Sequence, residues 1–227
     1  MRPWEPLARA YASDDTELRL QRRAHEYLIR AGGYDLMSSE DEVSARALAE
    51  IGCEHIDPAR SARVLVGGLG MGFTLRAALD AVGPSGRVEV AELVPAVVEW
   101  NHEWLGELAA YPLRDPRVRL HVGDVRDRLR QVRGDARGYD AILLDVDNGP
   151  DALAHPANQS LYSRRGLLAA RDALRRGGVL AVWSFSDEPR FTRRLSDAGF
   201  VARTHRVSAS RKGRGRHHII WTAARPR

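Results

Sequence analysis

Val64-Leu65-Val66 runs straight into Gly67-Gly68-Leu69-Gly70-Met71-Gly72, and a helix-forming segment over 74–82 follows at once. A short aliphatic run bounded by glycines reads as a buried strand. The glycines let the backbone pass through positive φ and approach a ligand closely. The helix behind them starts with amide groups that have no intrahelical acceptor and with a partial positive charge. Strand, glycine turn and helix start together make a nucleotide-type site at the carboxyl end of a parallel strand. A tight turn without any ligand shares this local pattern, so the reading depends on what the other strand ends carry.

Those ends follow in order. The segment 87–92 is a second strand ending in Glu92, and 118–122 is a third, closed by Gly123-Asp124. The fourth, 139–144, is nearly all apolar, as a strand covered on both faces should be, and runs into Asp145-Val146-Asp147-Asn148-Gly149-Pro150. A fifth spans 179–184. Helices are expected over 74–82, 95–109, 159–175 and 188–198. Pro95 stands at a helix start, and Gly83-Pro84, Gly177-Gly178 and Gly199 stand at helix stops. Trp100 and Trp104 share one face of the 95–109 helix and read as core. Alternating strands and helices predict an α/β fold with a doubly wound, mostly parallel sheet. The segments 200–208 and 217–224 are joined by a polar loop without a helix, so they pair antiparallel and bring the sheet to seven strands.

Ahead of this unit, 17–22 alternates apolar with polar residues, and 26–31 and 34–37 flank Gly32-Gly33, a hairpin signal. A helix over 14–31 is the rival, since Asp14 and Glu17 have capping-box spacing. Residues 1–16 show no periodicity and read as an arm. The same spacing in Ser39 and Glu42 opens a helix over 40–54. The domains expected are 1–38, an arm with a small β-hairpin unit, and 39–227, the α/β domain.

The glycine loop, Glu92, Asp124 and Asp145 therefore fall at successive strand ends. Glu92 lies 20 residues after Gly72, where an acid can accept both hydroxyls of a ribose. Asp124 could accept from an adenine amino group, with Leu93 and Val125 beside the same end of the cleft. Asp145, Asp147 and Asn148 face the reacting end. No run of 18 apolar residues is present, so no membrane partner is expected, and no apolar stretch near the start resembles a signal peptide, so the cytoplasm is the expected location. The single cysteine, Cys53, excludes an intrachain disulfide and reads as a small buried side chain. His25, His102, His121, His155, His205, His217 and His218 have no ligand spacing, so no metal is expected; His155 is the one kept as a catalytic candidate. From Arg190 to Arg227 the net charge is +10 against +5 for the whole chain. Any attraction for an acidic partner would thus come from this end, Arg211 to Arg216 above all.

These motifs resemble the spermidine synthase branch of the class I S-adenosylmethionine-dependent methyltransferase superfamily. Asp41-Glu42-Val43-Ser44 resembles that branch's Asp-Glu-Phe-Ser, which follows a β-hairpin. Val88-Glu89-Val90-Ala91-Glu92-Leu93 resembles its second strand, whose terminal acid holds the ribose. Asp115-Pro116-Arg117-Val118 with Gly123-Asp124 resembles its third-strand segment, whose Asp binds adenine. Asp145 to Pro150, then Leu161-Tyr162, resembles its catalytic loop. The resemblance implies a Rossmann-like fold with an antiparallel last strand. It implies that Gly67, Gly68, Gly70, Gly72, Glu92, Leu93, Asp124, Val125 and Asp145 bind the cofactor, and that a homodimer forms through the β unit.

The departures bear on the reaction. The branch carries an Asp in its glycine loop where this chain has Gly70, and a Tyr-Gln pair where it has Ala45-Arg46. The branch's acid meets the bare amine of decarboxylated S-adenosylmethionine and would repel the carboxylate of intact S-adenosylmethionine. Arg46 would repel a polycation if it faces the site. The expectation is therefore a methyltransferase that uses S-adenosylmethionine on a small-molecule amine or hydroxyl, with Asp145, Asp147 and Asn148 catalytic. The alternatives are an aminopropyltransferase using decarboxylated S-adenosylmethionine and a non-catalytic nucleoside-binding protein. A dinucleotide oxidoreductase fits the closing antiparallel pair poorly. A nucleic-acid methyltransferase lacks its usual Asn/Asp-Pro-Pro-aromatic motif, which disfavours a nucleic-acid partner.

Overall fold

The computed structural model describes residues 2–12, 15–132, 138–146, 149–150, 159–209 and 217–227. Eleven strands are found among them. β1 (Glu5–Tyr11), β2 (Glu17–Arg23), β3 (Glu26–Ala31) and β4 (Tyr34–Ser38) form an antiparallel sheet in that order. The strand and hairpin expected over 17–37 are present. The segment expected as an arm instead supplies β1. Its apolar residues lie half-buried on a sheet edge and its register breaks between Pro6 and Ala8, so no clean alternation marks it.

The second sheet contains β5 (Arg63–Gly67), β6 (Arg87–Glu92), β7 (Val118–Val122), β8 (Tyr139–Leu144), β9 (Leu174–Ser184), β10 (Val201–Ser208) and β11 (His217–Ala224). Their order is β10-β11-β9-β8-β5-β6-β7, with β11 antiparallel to both neighbours and the other pairings parallel. The order turns around β5: β6 pairs on one side of it and β8 on the other. That crevice is where open α/β sheets bind ligands.

Alternation along the strands builds two cores. Val64, Val66, Val88, Val90, Ala141 and Leu143 face one way, toward α1 (Glu42–Cys53), α2 (Phe73–Ala81) and α3 (Pro95–Trp100). Leu65, Ile142, Leu144, Leu180 and Val182 face the other, toward α4 (Val125–Gln131), α5 (Arg164–Ala173) and α6 (Pro189–Asp197). Leu18, Leu20 and Ile29 of the small sheet join the first core.

Several boundaries differ from expectation. The Ser39–Glu42 capping box does not form. Ser39 Oγ instead accepts from the Tyr27 amide, Ser38 caps a 3₁₀ turn over Ser39–Asp41, and Asp41 precedes α1 without a side-chain cap bond. Helix 95–109 changes winding: α3 gives way to a π turn at Asn101–Leu105 and a 3₁₀ turn at Gly106–Ala109. Trp100 is buried and Trp104 packs partly against the same core. Gly177-Gly178 does not stop a helix. α5 ends at Ala173, and the glycines lie inside β9, near a break in its register with β8.

Candidate functional site

β5 delivers the glycine loop to the crevice, and a set of main-chain bonds fixes it there. The Gly68 amide donates to Ala91 O at 2.8 Å, the Asp145 amide to Gly67 O at 2.8 Å and the Gly72 amide to Leu69 O at 2.8 Å. Gly68 has φ +90°, and a Cβ there would fall 2.1 Å from Asp145 O, so the loop passes the end of β8 with no room for a side chain. Gly70, at φ +51°, faces Met37, whose Sδ would lie 3.1 Å from a Cβ.

Glu92 ends β6 and is buried. Its Oε2 accepts from the Leu69 amide at 2.8 Å and its Oε1 from the Val94 amide at 2.9 Å. Burial pushes its pKa up, while the amides of Val94, Leu69, Gly70 and Leu93 draw it back. Leu93 beside it is exposed.

Asp124 follows β7 and caps α4, its Oδ1 accepting from the Arg126 amide at 2.8 Å. Its Oδ2 accepts from Arg126 Nε at 2.7 Å, and the Arg126 guanidinium also reaches Ser160 Oγ. Burial alone would raise the Asp124 pKa, but the Arg126 side chain and amide outweigh it and lower it. Arg126 was not singled out in the sequence; a basic residue two places after a strand-end acid was the available signal. Val125 is buried against Gly67.

Asp145 leaves β8 with its carboxyl turned inward. Oδ2 accepts from Thr74 Oγ1 at 2.7 Å, and the same hydroxyl lies 3.1 Å from Ala45 O. Burial raises the Asp145 pKa, and the Thr74 hydrogen bond opposes the rise. Asp147, Asn148, His155 and the basic loop from Arg211 to Arg216 lie outside the described residues.

Beside Gly70 lies a cavity of about 90 Å³. Met37, Phe73, Val146 and Trp183 supply much of its apolar wall, and Asp41 and Asp145 its charge. No Arg, Lys or His lines it among the described residues. Arg46 does not face it: its Nε donates to Glu42 Oε1 at 2.6 Å, and its guanidinium lies 6.0 Å from the Phe73 ring centre. The expected repulsion of a polycation by Arg46 is therefore not built into the site. The structure thus gathers Gly70 and Asp145 around one cavity and leaves Glu92 and Asp124 outside its lining, at the ends of β6 and β7.

Ser44, on the wall of that cavity, is buried and lies 2.9 Å from His218 Nδ1 of β11. His218 in turn packs edge-on against Trp183, 4.7 Å between ring centres. His55, not weighed in the sequence, lies at the far end of the sheet, 3.0 Å from Asp140 O. Among the described residues no three His, Cys, Asp or Glu come together as a metal site, and no helix is long and apolar enough to cross a membrane.

No family model matches the chain. The polyamine aminopropyltransferase of Mycobacterium tuberculosis (strain CDC 1551 / Oshkosh) is 34% identical over 157 residues, which are 66% of this chain and 29% of that protein. The eEF1A lysine and N-terminal methyltransferase of Danio rerio is 30% identical over 164 residues, 64% of this chain and 23% of that protein. The chain thus spans less than a third of the length of either relative. A spermidine synthase solved in complex with the transition state analogue AdoDATO superimposes with a TM-score of 0.76 at 20% identity, covering 96% of this chain and 73% of that one. The chain is therefore similar in sequence to polyamine aminopropyltransferases and has the spermidine synthase fold, a class I methyltransferase-like fold.

Proposed function

We propose that the chain binds an adenosyl-sulfonium nucleoside across the 67–72 loop and transfers an aminopropyl group from it to an amine. The observation that carries this reading is the charge beside Gly70: two carboxylates, Asp41 and Asp145, and no basic side chain among the described lining residues. A bare propylamine is attracted there, whereas the carboxylate of intact S-adenosylmethionine is repelled. Similarity to the polyamine aminopropyltransferase supports the same choice. Together they reverse the preference for methyl transfer drawn from Gly70 and the Ala45-Arg46 pair.

In this reading Glu92 takes the ribose hydroxyls, with Leu93 and Val125 beside the base and Asp124 on the adenine amino group. Gly67, Gly68, Gly70 and Gly72 border the sulfonium tail. The acceptor enters as an ammonium and must lose a proton before it can attack. A carboxyl with a raised pKa suits that step, so Asp145 takes the proton. The nitrogen lone pair then forms the C–N bond while the C–S bond breaks, and its electrons neutralise the sulfonium as a thioether. Holding amine and carbon in line supplies much of the rate, a task we assign to Asp147 and Asn148.

A second reading, methyl transfer from intact S-adenosylmethionine, is favoured by Gly70 and by the similarity to the Danio rerio methyltransferase. Incubating the chain with each donor and a panel of primary amines, then weighing the products, separates the two. Aminopropyl transfer adds C3H7N and methyl transfer adds CH2. Methylated product from the intact donor alone would overturn the first reading. Binding of a donor without consumption of either would leave a nucleoside-binding protein.

A further inference from the structure

The glycine loop is braced from behind by residues 101–112, a segment that the reaction itself does not use. Asn101 is 3% exposed, at the junction where α3 becomes the π turn. Its Nδ2 donates to Gly70 O at 2.8 Å and to Val97 O at 2.9 Å. Its Oδ1 has no protein partner, although it is buried. An unpaired buried acceptor is unfavourable, and an apolar side chain of similar size would avoid it. What the amide contributes is its donor, and that donor reaches the loop.

Three further features mark the same segment. A Cβ on Gly72 would meet Pro112 Cγ at 3.0 Å, Ala109 Cβ at 3.3 Å and Asn101 Oδ1 at 3.3 Å, so the segment is packed tightly against it. Ala110 and Tyr111 are consecutive non-glycine residues at φ +54° and +51°, a conformation that is unfavourable for L-residues and survives where the surroundings over-determine it. The π turn over Asn101–Leu105 belongs to a class of irregularity frequent at functional sites.

We infer that Asn101 is a positioning residue for the sulfonium donor: through Gly70 O it sets the part of the loop that borders the donor's tail. Gly70 lines the cavity that takes the tail, whereas the adenosine end is met by Glu92 at the end of β6. Loss of the Asn101 donor should therefore weaken the tail and spare the base and ribose. The inference rests on the proposed nucleoside site.

The test compares the unaltered chain with Asn101→Ala and Asn101→Asp, the latter nearly the same size but presenting a carboxylate to Gly70 O. Adenosine and decarboxylated S-adenosylmethionine are titrated into each by calorimetry. The ratio of the two affinities should fall about tenfold in both variants. A merely structural role would weaken both ligands together and leave that ratio unchanged, and an unchanged ratio in either folded variant overturns the inference. Should Asn101→Ala fail to fold, Asn101→Asp alone decides it. Failure of the unaltered chain to bind either nucleoside would instead refute the site itself, and with it this inference.

Discussion

Met37 Sδ lies 3.1 Å from the point where a Cβ on Gly70 would stand, so the β4 methionine occupies the space a side chain at position 70 would need. Asp is among the residues that tolerate positive φ best, but at φ +51° any side chain is strained, so the backbone and Met37 both oppose an acid here. Gly70→Asp alone should bind both donors poorly. Gly70→Asp with Met37→Ala should discriminate against intact S-adenosylmethionine more than the unaltered chain does, because like charges about 4 Å apart repel by on the order of 4 kcal/mol at an intermediate dielectric. Competition binding reads the ratio; no change in it would show that position 70 does not face the donor's tail.

Asp145 links activity to stability. Its pKa in the folded chain is raised above the unfolded value, chiefly by burial. The folded chain therefore binds this proton more tightly. The carboxyl favours folding below its unfolded pKa and loses that contribution as pH rises through the folded one. Asp145→Asn should melt higher than the unaltered chain at neutral pH, with the gap closing as pH falls, while turnover drops at least tenfold. The unaltered chain should show a rate that climbs with pH through the Asp145 pKa. Thr74→Val, which removes the bond that lowers this pKa, should move that limb to higher pH. A limb that stays in place in Thr74→Val would assign it to another group.

Glu92 should govern adenosine binding. Glu92→Gln keeps the size but removes the charge that the ribose hydroxyls meet, a loss of roughly 1.5–3 kcal/mol for hydrogen bonds to a charged group. Calorimetry should show at least tenfold weaker adenosine binding. A melting temperature measured alongside reports the separate effect on the Leu69 and Val94 amides.

Cys53 supplies a control on the fold. Burial, with Asp140 nearby adding to it, pushes its pKa up to about 12. The thiolate is the reactive species, so iodoacetamide should label Cys53 only as fast as the chain unfolds. Prompt labelling at neutral pH would mean that α1 is not packed as described.

The central strands were legible because a run such as Val64-Leu65-Val66, buried on both faces, has no other use for its residues than a core. The acids at their ends were legible because a strand followed by a helix leaves one short place for a polar group. β1 was not, since a half-buried edge strand interrupted by Pro6 has no alternation to read. The direction of Arg46 was not legible because it depends on a local partner, Glu42, one helical turn away. Asn101 was invisible for a different reason: nothing in 101–112 announces a π turn, and the carbonyl it meets is 31 positions away in sequence. The Trp183–His218–Ser44 contacts likewise join β9, β11 and α1, which only the folded sheet brings together.

The reaction the chain performs turns on which donor the Gly70 cavity accepts. Calorimetric titration of the chain with decarboxylated S-adenosylmethionine and with intact S-adenosylmethionine, side by side in one buffer at neutral pH, measures that choice directly. The two carboxylates of the cavity predict at least tenfold tighter binding of the decarboxylated donor. Tighter binding of the intact donor would contradict the account and return the chain to methyl transfer.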